Sequence, residues 1–354
     1  MRGTGTRPLP VAHSPALRVG GSRPARAVFG PLAAEGLVEV VDLQVRPEVL
    51  DGSGWWAVVG TFEGRLTGYR FERVSTMHHP TTAPPGWLGP DRTAWRSSLS
   101  AQQYRTGVQL IREAIAAGDV YQVNLCRILS ADDTGADPAG LSARLLRSNP
   151  APWSGMLDLG ADWVVSASPE LFLRRDGDRL VSAPVKGTAA PGEPFADKDF
   201  PENVMICDLV RNDLSRVAVA GSVRVTSLLA REEHPGLAHL VSTVAARLRP
   251  GLGWGDLLRA TFPPGSVSGA PKISALQVIS RLEPTPRGPY CGCFGFVDAD
   301  RGTAALAVGI RTFIRSAGTI AFGTGAGITW ASDPQAEWAE TELKAARLIG
   351  LASG

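Results

Sequence analysis

The sequence predicts an α+β fold built on antiparallel sheet. Three observations lead there. Short β-prone runs follow one another through brief turns, capped amphipathic helices stand between groups of strands, and the regular strand–helix alternation of a parallel sheet is missing. At 354 residues, with 44% hydrophobic and 20% charged content, the chain has core enough for one large unit or two ordinary ones.

Residues 1–30 hold five arginines and no acid. Organelle transit peptides share that composition, but Pro8, Pro10, Pro15 and the Gly20–Gly21 pair forbid the amphipathic helix they need, so a loose tail is expected. Over 30–75, "GLVEVVDL", "WWAVVGTF" and "RLTGYRFERV" read as a small β-rich segment. A proline-rich linker or loop follows over 76–97. The texture then changes, setting residues 1–97 apart from a larger unit over 98–354. Ser100 and Gln103 form a capping box, Tyr104, Val108, Ile111 and Ile115 recur at helical spacing, and Gly118 ends the helix. "DWVVSASPELFLRR" and "RLVSAPV" are expected to pair as a hairpin. A helix over 201–214, a strand in "SVRVTSLL", a helix after "SGAPK", strands over 290–298, 304–314 and 319–328, and a final helix complete the order.

Composition excludes several classes. The formal net charge is +2 and the arginines are scattered rather than striped, so no nucleic-acid surface is expected. No apolar run reaches the roughly 18 residues that span a bilayer. Four cysteines make no disulfide framework, and a reducing cytoplasm is the default location. Cys291 and Cys293 are expected to alternate along one strand face in a structural role.

Several stretches pair residue types with chemistry. Of the 36 Lys plus Arg residues only Lys186, Lys198, Lys272 and Lys344 are lysine. Each calls for a compact ammonium or an amine that can lose its proton, with composition bias as the plain alternative. Glu202, Ile206, Leu209 and Asp213 share one helix face, so an apolar stripe begins and ends with a carboxylate. Such a carboxylate is paired, bound to a metal, or a first-turn acid favoured by the helix dipole. In the last helix Glu337, Glu340 and Lys344 line one face, as a solvated ion pair or as part of a magnesium site. Gly323, Gly325 and Gly327 alternate, which leaves one strand face bare for a flat ligand. Alternation through "VGIRTFI" aims Arg311 at a small-residue face, as a carboxylate fork or a rim salt bridge. "PPGSVSGAPK" puts glycine-rich backbone ahead of a helix start, a place for an anion. His239 stands in an apolar run, as a core residue or a catalyst.

Together "AAGDVYQVNL", "SASPELFL", "APVKGT", "KDFPENVMICDLVRNDLSRVAVAGSVRV", "HLVSTV", "FPPGSVSGAPK", "GIRT", "GTGAGI" and "PQAEWAETELKA" resemble, in order and spacing, the chorismate-binding enzymes. That family includes anthranilate, isochorismate, salicylate and aminodeoxychorismate synthases. The resemblance covers about 98–350 and implies antiparallel sheets packed face to face, in an anthranilate synthase component I-like fold with helices outside. It implies Mg2+ held by Glu202 and Glu340 with Glu337 beside them. Glu170 falls at the general acid for the ring hydroxyl, and His239 at a histidine near the ring. Gln122, Gly269, Ala270, Tyr290, Arg311, Gly325 and Lys344 fall where family members hold substrate.

Two positions separate the members. Where water-using relatives carry a lysine base, this chain has Gln122. Where anthranilate synthases typically carry alanine, it has Lys186 in "PVKGT", similar to the "PIKGT" of aminodeoxychorismate synthases. The resemblance therefore implies amination of chorismate through covalent attack by Lys186. An anthranilate synthase component I and an inactive chorismate-binding regulator are the alternatives. Leu171 departs from the arginine several relatives carry after "SPE". None of the four cysteines sits in a nucleophile elbow, so ammonia is expected from a separate glutamine amidotransferase subunit.

Overall fold

The computed structural model describes residues 16–77, 86–234 and 237–354. Residues 1–15 of the expected tail and 78–85 of the proline-rich stretch lie outside the described residues. From Leu17 onward the tail is tied down rather than loose. Arg18 pairs with Asp162 at 3.0 Å, and Arg23 and Arg26 reach Asp158 at 3.1 and 3.3 Å. Both carboxylates are fully buried, so these arginines are the partners that burial demands. Arg26–Phe29 is already a strand.

The expected antiparallel α+β architecture is present, with 18 strands and six helices among the described residues. Hydrogen bonds run unbroken from the Gln122–Asp132 strand through Thr319–Ile328, Thr312–Ser316, Trp163–Ser168, Trp153–Asp158, Arg26–Phe29 and Leu32–Asp42. They continue through Leu66–Thr76, Trp55–Gly60, Cys293–Asp298, Thr303–Val308, Leu171–Asp176 and Arg179–Ala183 to Leu237–Arg247. All these pairs are antiparallel. Strands from before residue 97 thus sit in the middle of the path. Trp55–Gly60, buried along its whole length, pairs with Cys293–Asp298 on one side and Leu66–Thr76 on the other. The path also doubles back on itself. Val185–Ala189, paired to Leu237–Arg247 at one end, brings Lys186 Nζ within 3.4 Å of the place a Cβ would occupy on Gly327 at the other.

The helices α1 (Ala101–Ala116), α2 (Pro138–Ser148), α3 (Asp199–Ser215), α4 (Trp254–Thr261), α5 (Lys272–Leu282) and α6 (Pro334–Ala352) support this path. In α1 the capping box forms as expected, and Tyr104, Val108 and Ile111 are fully buried. Each such side chain contributes about 1.5–3 kcal/mol relative to exposure. Tyr104 also packs edge-on against Trp338 of α6, ring centres 5.7 Å apart. Among the described residues no helix is long and apolar enough to cross a membrane.

Four local expectations change. The run over 162–175 is two strands, because Pro169 interrupts it; only Leu171–Asp176 pairs with Arg179–Ala183. The run over 304–314 breaks between Val308 and Thr312. There Ile310 N bonds back to Val308 O at 2.7 Å and Arg311 takes φ +51°, so strict alternation does not aim its side chain. Cys291 sits in a turn with φ +62°, outside the strand that begins at Cys293. The glycine face is not bare. A Cβ at Gly323 would meet the Tyr290 ring at 2.1 Å, so the flat group lying there belongs to the protein.

Candidate active site

The doubled-back path sets two kinds of surface against each other. One is the Val185–Ala189 strand, which carries Lys186. Its register against Leu237–Arg247 slips between Val185 and Thr188, and Gly187 takes φ +88° in the slip. A Cβ at Gly187 would press on Asp199 at 2.9 Å, so glycine lets α3 approach this strand. A bulge of this kind re-aims the residue beside it. Lys186 is half-buried and makes no ion pair among the described residues, yet its charge acts on both Glu170 and Glu202. Facing it are Gly327 and Gln122. A Cβ at Gly327 would lie 2.2 Å from Gln122 Nε2, and Gln122 Oε1 is buried with no hydrogen-bond partner among the described residues.

Glu170, in the turn at Pro169–Glu170, is 3% exposed. Burial pushes its carboxyl up to about 7, while the Ser266 hydroxyl, Lys186 and the Val185 amide pull the other way. A carboxylic acid half-protonated near neutrality is a proton donor in waiting. Ser266 belongs to the 263–271 segment ahead of α5, whose N-terminus has no side-chain cap. Within that segment Gly269 and Ala270 pair with Val123 and Gln122, which ties it to the Lys186-facing strand.

His239 stands opposite Thr188, and Thr188 Oγ1 lies 3.1 Å from His239 Nδ1. Burial, Arg311 and His234 push its imidazole down to about 3, so it is neutral at physiological pH. Burial and then Arg347 lower Arg311 to about 10. The Arg311 guanidinium makes no ion pair among the described residues. A half-buried cation beside a second cation, with no acid to answer it, is prepared for an anionic ligand. Tyr290 lies deeper, 5% exposed, with its hydroxyl 3.8 Å from Cys126 Sγ.

The second surface joins α3 to α6. Burial raises Glu202, with Lys186 and Lys198 opposing. Glu337 is 5% exposed; Ser332 bonds one oxygen at 2.7 Å and Oε2 is buried without a hydrogen-bond partner among the described residues. Burial works against ionised Glu340, but Lys344 at 2.7 Å and Lys198 at 3.3 Å carry its carboxyl down to about 2. Lys344 also donates to Gly325 O at 3.1 Å. Glu337 perturbs Glu202 electrostatically and is itself perturbed by Glu340. Among the described residues no three or more acid, His or Cys side chains are gathered where together they could hold a metal ion. An open set of carboxylate oxygens, one of them unpartnered, fits a hard cation that keeps other ligands from water and substrate.

Lys198, Ser266 and Thr188 are site residues that the sequence reading left unassigned. The scarcity of lysine was a signal for the first; nothing in the local pattern marks the other two.

The family model described as chorismate binding enzyme matches residues 69–350. Anthranilate synthase component 1 of Thermus thermophilus is 37% identical over 335 residues, covering 91% of this chain and 68% of its own length. Aminodeoxychorismate synthase component 1 of Salmonella typhimurium is 37% identical over 315 residues, covering 82% and 69%. The solved structure of anthranilate synthase component I from Streptococcus pneumoniae has a TM-score of 0.75 at 23% identity, over 98% of this chain and 95% of that one.

Proposed function

Since the chain belongs to the chorismate binding enzymes, we propose that it aminates chorismate, using ammonia to give 4-amino-4-deoxychorismate through a covalent intermediate on Lys186. One observation carries the choice within the family. Lys186 presents an amine, free of any ion pair among the described residues, from a bulge between two glutamates. Relatives named for two different activities are equally similar, so overall identity does not choose between them.

In this reading the Lys186 amine attacks the ring and the ring hydroxyl leaves with the proton of Glu170 as water. Ammonia then adds at the other end of the diene, and the lysine amine departs. Neutral His239 and cationic Arg311 line the ring's surroundings, and Arg311 answers a substrate carboxylate. Gln122 stands where a water-activating base would be needed for hydroxylation, and a carboxamide does not supply one. Mg2+ would be held by Glu202 and Glu340 with Glu337 beside them, and would supply positive charge to a substrate carboxylate. The relatives' "component 1" names support a partner component, which we assign as the amidotransferase that delivers ammonia. A cytoplasmic enzyme feeding 4-aminobenzoate and folate synthesis fits this chemistry.

Product identity tests the reading. With chorismate, magnesium and ammonium, the wild type is expected to yield 4-amino-4-deoxychorismate, and Lys186→Arg and Lys186→Ala are each expected to lose it. The arginine keeps the charge but cannot shed its proton. Traces of anthranilate from the alanine variant would fit ammonia entering at carbon 2. An active arginine variant would end the covalent reading while leaving the substrate class intact, and anthranilate as the main wild-type product would move the chain to the other branch.

A further inference from the structure

Against Glu170 lies a cavity of about 20 Å3 whose polar lining is Glu170, Asp213, Ser182, Thr261 and Ser266. A single water needs roughly 10–15 Å3 of such space and two to four polar partners. The volume admits one water and the lining supplies the partners. In the same lining Asp213, at the end of the α3 stripe, is held by Lys272 Nζ at 2.6 Å, and Lys272 also reaches Thr261 O at 3.4 Å. Their side chains are 14% and 18% exposed, so this pair is the cavity's link to solvent, whereas Glu170 itself is 3% exposed.

A general acid that gives up its proton in every cycle must recover one before the next. Glu170 is 3% exposed, so a proton reaches it through neighbouring groups rather than directly from bulk solvent. We propose that Asp213 and Lys272 form a proton relay that recharges Glu170 through a water held in this cavity. After Glu170 has protonated the departing hydroxyl, its carboxylate takes a proton from the cavity water. Asp213, a carboxylate in its pair with Lys272, takes a proton from the Lys272 ammonium and hands it to the cavity water as that water gives its own to Glu170, and Lys272 is reprotonated by solvent. Each step moves one proton, and the sum is one solvent proton delivered to Glu170. This assigns a role to the two residues the active site leaves unused, the closing carboxylate of α3 and the third of the four lysines. Burial raises the Asp213 carboxyl despite Lys272, which suits a group that must accept a proton briefly.

The relay serves the reaction proposed above, but its test does not depend on that reaction. In the resting protein, below the Glu170 midpoint, the protonated carboxyl has an infrared carbonyl band that Glu170→Gln removes and that shifts on transfer to D2O. The rate of that shift measures proton exchange at Glu170 without substrate. Asp213→Asn breaks the chain of acids, and Val210→Ile adds a methyl group to the cavity wall while leaving every polar group in place. Both are expected to slow exchange by about tenfold or more, and Asp213→Glu to restore it. With chorismate and ammonium the same two variants are expected to lower kcat by about 10- to 100-fold with KM unchanged. Exchange at the wild-type rate in folded Val210→Ile and Asp213→Asn overturns the relay, whatever product the enzyme makes.

Discussion

Glu170 and Glu340 are carboxylates of one candidate site held in opposite states. Glu170 stands in a strand–turn–strand corner with a hydroxyl, an amide and one lysine for company, and burial raises it to about 7. Glu340 stands on a half-exposed helix face between two lysines, which override burial and lower it to about 2. Side-chain chemistry is identical, so environment alone divides the labour. The corner makes an acid that can give a proton away near neutral pH. The helix face makes a permanent anion suited to a cation or a lysine.

The sharpest way to break this contrast is to remove the proton. Glu170→Gln is expected to lower kcat for chorismate consumption by about 10²–10⁴-fold while KM changes little, measured by steady-state kinetics. A variant with near wild-type turnover would make Glu170 a structural acid. The contrast also has a pH signature. A general acid works only while protonated, so the contribution of Glu170 to kcat is expected to be full below about 7 and to be lost as pH rises through that value. Glu340, ionised down to about 2, adds no transition in the neutral range. A profile flat across neutrality would place the working proton elsewhere. The smallest effect is expected on the helix side. Lys344→Met removes the closer of the two ammonium groups from Glu340, so the carboxyl should titrate higher, as read by carbon NMR. Stability should fall by no more than about 1 kcal/mol, because the pair is partly solvated. An unchanged Glu340 titration would show that Lys198 alone suffices.

The same two regions differ in how far the sequence reveals them. The helix side was legible, since spacings of three and four put Glu337, Glu340 and Lys344 on one face and turned Glu202 toward the core. The helix period is rigid, so counting suffices. The corner was not legible as geometry. Strand alternation carried through Pro169 and through Gly309–Arg311 as if the chain were straight, and the structure bends at both. Those bends aim Glu170 and Arg311. Helices α2 and α4 were also missed. The first begins at an Asp137 cap followed by Pro138, with Gly140 two residues on, a pattern that reads as a turn. The second takes part of its cap from Asp51, whose side chain meets Trp254 N at 2.7 Å from far along the chain. Ser266 illustrates the general limit: its hydroxyl matters because a distant corner of the sheet comes to it.

Lys186 reaches the Gly327 backbone only after the two ends of a long hydrogen-bonded path have come together. Such contacts, distant in sequence, are late and entropically costly to form. The consequence concerns timing. A partly folded chain can assemble the α1–α6 packing or the central hairpins without bringing Lys186 to Gly327, so the candidate site stays incomplete until the whole sheet has closed. Activity recovered during refolding would then lag behind the return of secondary structure.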